Sequence, residues 1–258
     1  MRLRLALPAA TLALLPVAAL AAGPAQAATN PSSSAPSSAP SSAGARAQAS
    51  TPAVTVDLAA ARATCTADID LRLAKLGSLG ASLTAATAVT AAHRSAQQAG
   101  LTTATAGLTQ LKAKVAADAD ARTLKADCQT QYTAYRVFAL RAPQTGYVIA
   151  GDAQVAAVAR LQAVAPKLSD ALAKLQTADK DVSGASAALT DLQTKLADAA
   201  PRAAGIADGV IPFTPADSNA DKAVLTPTHT QVLAVRTDLA GARADIKTIA
   251  AALKTLAR

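Results

Sequence analysis

Apolar side chains recur along most of this chain at alternating steps of three and four residues, from Leu58 to Leu256. That spacing places them on one face of a helix and is typical of helices that pack against one another. Asp57 and Thr90 stand immediately before two of these apolar runs, where a short polar side chain caps a helix. Residues 118–120, Asp-Ala-Asp, interrupt the apolar spacing and predict a turn. The pattern therefore predicts long helices joined by short turns.

Prolines and small polar residues divide the pattern into five helical segments. Further turns are predicted at residues 181–184 and 211–215, whereas the apolar pattern is nearly continuous across Pro143. We therefore expect an all-α, up-and-down bundle of five long helical segments. The arrangement that fits best is two spectrin-like three-helix units, residues 57–142 and 144–258, that share one bent helix. A single folded-back bundle is the alternative.

The first 27 residues have the three parts of a secretory signal peptide. Arg2 and Arg4 supply the positive charge, an apolar run covers residues 5–22, and residues 25–27 form a small-residue cleavage site. Two prolines within the run and its marginal length disfavour an uncleaved membrane anchor. We therefore expect residues 1–27 to be removed, leaving a secreted or cell-wall-associated protein without a transmembrane segment.

Residues 28–56 consist mostly of Ser, Ala and Pro. Such a sequence cannot bury enough apolar surface to fold, so we expect a disordered linker that precedes a helical body at residues 57–258. The linker is either a spacer between the cell surface and that body or a low-complexity tail without a role.

The composition narrows the classes of function. More than a quarter of the residues are Ala, only 2% are aromatic, and all 17 acidic residues are Asp. Abundant Ala favours helices, and the scarcity of aromatics disfavours sheets. The net charge of +8 would suit an anionic polymer or protein of the cell envelope as a partner, although a solvated surface with a modest charge bias is the simpler explanation. Nucleic acid is disfavoured because the basic residues are dispersed and stacking aromatics are scarce.

Several short segments resemble those of known proteins. Residues 123–128 (TLKADC), residues 135–144 (YRVFALRAPQ), Pro212 and residues 214–217 (TPAD) are similar to segments of Ala-rich secreted helical proteins of high-GC Gram-positive bacteria. No activity is attached to that family. The resemblance implies export and helical architecture from Cys65 onward, and it carries no functional residues.

The two cysteines, Cys65 and Cys128, are predicted to form a disulfide because a pair of cysteines in an exported protein is normally joined. Cys65 lies about two turns into the first helix, and Cys128 lies about two turns beyond the tip at residues 118–120. In an up-down-up arrangement these two helices run parallel, so both cysteines fall at the same height on buried faces. A reactive thiol or a metal ligand would need a nearby base or further ligands, and only His93 and His229 are available.

Four of the five aromatic side chains fall within sixteen residues around Pro143. Together with two neighbouring arginines they form a candidate patch for a small ligand or a protein partner. The members of this candidate patch are Tyr132, Tyr135, Arg136, Phe138, Arg141 and Tyr147. The alternative is that the bulky rings fill a gap in the core at a bend, where Ala is too small.

No pattern in the sequence indicates catalysis. The chain lacks a Gly-rich phosphate loop and a nucleophile elbow, and its two histidines are far apart with no Glu to join them at a metal. We therefore expect no enzyme, no metal and no cofactor. Two functions remain: a non-catalytic structural or interaction bundle of the cell envelope, or a small-ligand-binding bundle with its site near the aromatic patch. An open pocket beside Tyr135 and Phe138 would favour the second.

Overall fold

The computed structural model of the protein describes residues 57–258, and every regular element in that range is a helix. The helices are α1 (Leu58–Ala85), α2 (Ala91–Ala117), α3 (Ala121–Thr130), α4 (Ala142–Gln176), α5 (Ser183–Val210), α6 (Pro215–Ala220) and α7 (Thr226–Leu256). The two arms α3 and α4 belong to one bent helix, Ala121–Gln176. The expected all-α fold with five long helices is confirmed. The predicted signal peptide (1–27) and linker (28–56) lie outside the described residues.

Capping side chains explain where the first three helices begin. The carboxylate of Asp57 accepts the amide N–H groups two and three residues ahead, at 2.9 and 3.2 Å. The hydroxyl of Thr90 accepts the N–H of the third residue of α2, at 3.2 Å, and Asp120 caps α3 in the way that Asp57 caps α1. Each cap satisfies amide groups that have no partner inside the helix. The predictions for Asp57 and Thr90 are therefore confirmed.

The bend in the long helix lies before Pro143 rather than at it. Two short π-helical segments, Gln131–Tyr135 and Val137–Arg141, flank Arg136, whose φ of 46° and ψ of 40° are left-handed. A residue in that conformation interrupts the helical hydrogen-bond ladder and redirects the axis. Pro143 lies in the first turn of α4, where the missing N–H leaves no intrahelical bond unmade. The chain therefore neither reverses nor breaks at the proline.

Two hydrophobic cores lie along the bent helix. The first core is built mainly from α1, α2 and α3, and the second core from α4, α5 and α7. The two are joined, because Val148 of α4 and Ala207 and Val210 of α5 belong to the first core. The ring of Tyr147 packs against both cores. The start of α4 and the end of α5 thus connect the two parts of the bundle.

Three local features differ from the apolar pattern. The helix α4 stops at Gln176, so the chain leaves the helix several residues before the turn predicted at residues 181–184. The short helix α6 was not predicted; it is held by a capping box in which the side chains of Thr214 and Asp217 each accept the other residue's backbone N–H. A threonine followed by a proline is typical of a helix cap and the first helical residue, but the last helix begins at Thr226 itself, one residue before Pro227.

Among the described helices, the bent helix Ala121–Gln176 is long and apolar enough, by length and composition alone, to cross a membrane. Helices inside packed bundles pass the same test. The α4 arm carries buried polar side chains, Gln144, Thr145, Asp152 and Gln154, that form hydrogen bonds with neighbouring helices or loops. These contacts favour a helix packed inside a bundle.

Candidate functional site

The two cysteines form a disulfide that joins α1 to α3. The Cα atoms of Cys65 and Cys128 lie 5.8 Å apart, within the range that a disulfide spans. Each cysteine is the eighth residue of its helix, so the two helices run side by side in the same direction from a common end. The predicted pairing and its geometric reason are confirmed.

The predicted aromatic patch is divided among several environments. Tyr132 and Phe138 are exposed, and the buried guanidinium of Arg72 lies beneath both rings, 4.4 and 5.5 Å from their centroids. The hydroxyl of Tyr132 donates to the carboxylate of Asp68 at 2.6 Å, and this hydrogen bond raises the pKa of the tyrosine. The result is a small exposed surface in which a cation lies under two aromatic faces.

The other two aromatic residues face inward. The ring of Tyr135 packs directly on the backbone of Gly107 in α2, where a Cβ atom would collide with it. Tyr147 is half-buried, its hydroxyl lies 3.3 Å from Nδ1 of His229, and burial raises its pKa. These two rings fill space between helices, as the core-filling alternative expected.

The two arginines of the patch make polar contacts with different elements. Nε of Arg136 donates to Oδ1 of Asn219 in α6 at 2.7 Å, and the same asparagine donates to the carbonyl of Thr133 at 2.8 Å. Arg141 donates to Oε1 of Gln144 at 2.9 Å, and burial lowers the pKa of this guanidinium. The structure therefore does not bring the six residues of the candidate patch together as one surface.

A buried glutamine fastens the end of α5 to the start of α4. Gln144 is fully buried, and its Nε2 lies 2.6 Å from the carbonyl oxygen of Val210 and 3.1 Å from those of Ile211 and Phe213. The last carbonyl groups of a helix have no partner inside it. One side chain of α4 therefore satisfies the carbonyl end of α5.

His93 joins three helices through two carboxylates. Its Nδ1 lies 2.9 Å from Oδ1 of Asp152 in α4, and its Nε2 lies 3.0 Å from Oδ1 of Asp208 in α5. Asp152 is buried and also accepts the N–H of Thr90 at 2.9 Å. Burial lowers the pKa of His93, but the hydrogen bonds and charges of both carboxylates raise it more, so the net shift is upward. Both ring nitrogens thus face carboxylates, an arrangement that favours the protonated form of the ring.

This arrangement is poorly suited to acid–base catalysis. A general base needs a ring nitrogen that can reach a substrate proton, and both nitrogens of His93 are engaged by Asp152 and Asp208. Within residues 57–258 no group of three or more His, Cys or Asp side chains could hold a metal ion. The contacts of His93 with Asp152 and Asp208 therefore serve to link α2 to α4 and α5.

Polar groups are also buried at the chain tip between α2 and α3. Nζ of Lys114 lies 2.7 Å from the carboxylate of Asp127, and Arg62 donates to the backbone carbonyl of Asp118 at 2.5 Å. Desolvation, followed by the nearby charge of Asp127, raises the pKa of Asp118. The cluster lies at the same end of the first core as the disulfide.

An open groove runs between α1 and α3. It has a volume of about 700 Å³ and extends from Ala61 and Ala121 at one end to Tyr132 at the other, with both disulfide cysteines in its lining. Most of the lining is apolar. The groove borders Tyr132 but does not include Tyr135 or Phe138, the two residues beside which the sequence predicted a pocket for a ligand-binding protein.

Sequence reasoning missed the polar residues that connect the helices. Asp152 and Gln144 interrupt the apolar pattern of α4, and a charged or amide side chain within such a pattern was the available signal. Asp208 is exposed and gives no signal of its own. The partners of these residues lie more than 50 positions away, so the sequence alone could not pair them.

No family model, no curated protein and no solved structure matches this chain. Any conclusion about function must therefore come from the residues and the geometry.

Proposed function

We propose that this protein is an exported helical bundle of the cell envelope or the extracellular space, with a structural or interaction role and no catalytic activity. The observation that carries the proposal is the disulfide between Cys65 and Cys128. Disulfides persist in oxidising compartments and are rare in the cytosol. An N-terminus that reads as a signal peptide points the same way.

The absence of catalysis is inferred from how the polar residues are used. Both ring nitrogens of His93 are engaged by carboxylates, and His229 lies beside a tyrosine hydroxyl. The two cysteines are joined to each other. The groups that ordinarily act as bases or nucleophiles are therefore committed to contacts within the fold.

The finer architecture that we propose is two spectrin-like three-helix units sharing the bent helix. Two hydrophobic cores, one on each arm of that helix, support it. Val148, Ala207 and Val210 contribute to the first core although they belong to α4 and α5, so the two units would meet through a common apolar surface. Such an elongated shape suits a spacer or a presenter of surfaces.

Expression of the full chain with its own N-terminus in a high-GC Gram-positive host tests the proposal. We expect the protein in the medium or wall fraction, starting at Ala28 and without free thiols. A protein that remains in the cytosol, begins at Met1 and titrates two thiols would contradict export. Capture of envelope components on the purified protein would then identify the partner, either an anionic polymer or a protein.

A second function, a small-ligand-binding bundle, is favoured by one observation. The groove between α1 and α3 is open, mostly apolar and bordered by Tyr132 of the predicted patch. Its volume of about 700 Å³ falls within the range of small-molecule sites, about 300–1,000 Å³. The ligand site would then lie beside the disulfide and end at Tyr132.

A further inference from the structure

We propose that the groove between α1 and α3 binds a fatty-acid anion with a single chain. The acyl chain lies along the disulfide, and the carboxylate lies at Arg122 and Lys125. The proposal rests on the ligand-binding function described above and supplies its site and its class of ligand.

The shape and lining of the groove suit an acyl chain. One side of the groove extends over eleven residue steps, from Ala121 in α3 to Tyr132 in the π-helical segment that follows it. Eleven steps of α-helix rise roughly 16 Å, about the extended length of a dodecyl chain. Backbone N–H and C=O groups of a helix are bonded within that helix, so the groove offers no strand edge to a peptide. A flexible apolar chain is the ligand that needs no such partner.

The charges around the groove suit an anion. Arg122 and Lys125 are three residues apart on α3, line the groove and are exposed. Neither forms an ion pair with another residue in the range 57–258. The carboxylate that lines the opposite side, Asp68, already accepts the hydroxyl of Tyr132 and lies 4.0 Å from Arg72. The uncompensated charge at the groove is therefore positive.

The groove wall is also incomplete in its hydrogen bonding. Gln131 is only 1% exposed, its Nε2 lies 3.9 Å from Sγ of Cys65, and its Oε1 has no partner among the described residues. Buried polar atoms are normally satisfied by protein, water or ligand. A fatty-acid anion brings no donor for this oxygen, so the atom marks loose polar packing behind the groove wall and is not a contact of the ligand.

A comparable groove elsewhere lacks these features. The groove between α1 and α2 has a volume of about 650 Å³, and its cation is Arg94. That guanidinium is already hydrogen-bonded, since it donates to the carbonyls of Leu83 and Thr84 in the last turn of α1 and to those of Ala86 and Val89 in the turn that follows. No free cation borders an apolar lining there, so the groove beside the disulfide is the better site for an anionic ligand.

The test is titration calorimetry of the full oxidised chain with laurate and with its uncharged methyl ester, both below the concentration at which they aggregate. Three variants are compared with the wild type. Thr64→Trp fills the groove, Arg122→Gln with Lys125→Gln removes its charges, and Arg160→Gln with Lys167→Gln is the control that removes the same charge from α4. All variants keep the same N-terminal segment, so laurate binding to that segment cancels in the comparison.

We expect the wild type and the α4 control to bind laurate equally. The groove charge variant should bind laurate about tenfold more weakly and methyl laurate unchanged, since two exposed charge contacts are lost. Thr64→Trp should abolish binding of both ligands, with circular dichroism confirming its fold.

Equal laurate affinity in the groove charge variant and the wild type would overturn the anionic class of ligand while leaving a groove that binds apolar ligands. If Thr64→Trp folds and still binds, the site is wrong. If neither ligand binds the wild type, the fatty-acid proposal is wrong, and a ligand-binding function would then require a ligand of another class.

Discussion

The two cores share one long helix, but different interactions hold them together. The first core contains the disulfide, borders the π-helical segments and encloses buried polar groups such as Arg72, Gln97 and Asp127. The second core is built from regular helices, and five of its sixteen buried members are Ala, against two of sixteen in the first core. Ala199, for example, is completely buried.

The difference follows from how closely the helices approach. In the second core a Cβ atom added to Gly151 of α4 would lie 2.8 Å from Cγ2 of Ile206 in α5, so these helices are already in contact. Ala and Gly permit such an approach, and dense packing then stabilises the core by itself. Around the first core the bend prevents continuous packing along α3. Covalent and polar links supply the constraint that side-chain packing supplies elsewhere.

The largest expected effect is on the first core. The disulfide closes a loop of 63 residues and should contribute about 4 kcal/mol to the free energy of unfolding. Reduction, Cys65→Ala and Cys128→Ala should each lower the melting temperature by roughly 10 °C for a body of this size. The double variant should cost little more than either single variant, because the two residues act as one unit.

Hydrogen exchange adds a spatial readout to that experiment. After reduction, amide exchange should accelerate more in α1 and α3 than in α7, since only the first core loses a constraint. Equal acceleration in all three helices would show that the two cores depend on the disulfide alike, and that the constraint it supplies is not confined to the first core.

The next effect compares two buried glutamines of α4. Gln144→Leu leaves the carbonyls at the end of α5 and the guanidinium of Arg141 without their partner, so it should cost about 3 kcal/mol. Gln154→Leu, the matched control, breaks one hydrogen bond to the carbonyl of Val232 and also removes an unsatisfied oxygen. It should cost about 1 kcal/mol. Urea denaturation measures both, and equal losses would mean that the junction has no special dependence on Gln144.

The sequence predicted the regular parts of this fold well. The helix starts capped by Asp57 and Thr90 are local, and the apolar spacing of the long helices is periodic, so both can be read without tertiary information. The prediction of the disulfide followed from combining the helix starts with the apolar spacing, because together they placed both cysteines at the same height. The bend at Arg136 could not be predicted, because nothing local favours a left-handed arginine, and Pro143 was the stronger but misleading signal.

The candidate site was predicted less well than the fold. The aromatic residues cluster in sequence, but the π-helical segments turn successive rings in different directions, so that Tyr132 is exposed while Tyr135 packs on α2. Likewise the contacts of His93 depend on carboxylates 59 and 115 residues away. Proximity in sequence does not determine proximity in space once a helix is irregular.

A third experiment tests close packing in the second core with two glycines of the same helix. Gly151→Ala would drive a methyl group into Ile206 and should destabilise the protein by about 2 kcal/mol. Gly146→Ala, where a Cβ atom meets nothing within 4 Å, should stabilise the protein by about 0.5–1 kcal/mol through the higher helix propensity of Ala. The same sign for both variants in thermal melts would argue against tight contact between α4 and α5.

The smallest effect concerns the link between the cores at His93. Asp152 and Asp208 outweigh desolvation and raise the pKa of this histidine in the folded protein. The folded state therefore binds its proton more tightly than the unfolded state does. The resulting stabilisation is complete below the unfolded pKa of about 6.5 and is lost as the pH rises through the higher folded value.

His93→Gln should remove that pH-dependent part, so the difference in unfolding free energy between wild type and variant should shrink from about pH 5.5 to alkaline pH. His229→Gln is the control, because it removes the other imidazole and leaves the contacts of His93 with Asp152 and Asp208 intact. Urea titrations at several pH values measure both variants. A difference between wild type and His93→Gln that stays constant with pH would mean that the imidazole links the helices as a neutral hydrogen-bonding group rather than as a cation.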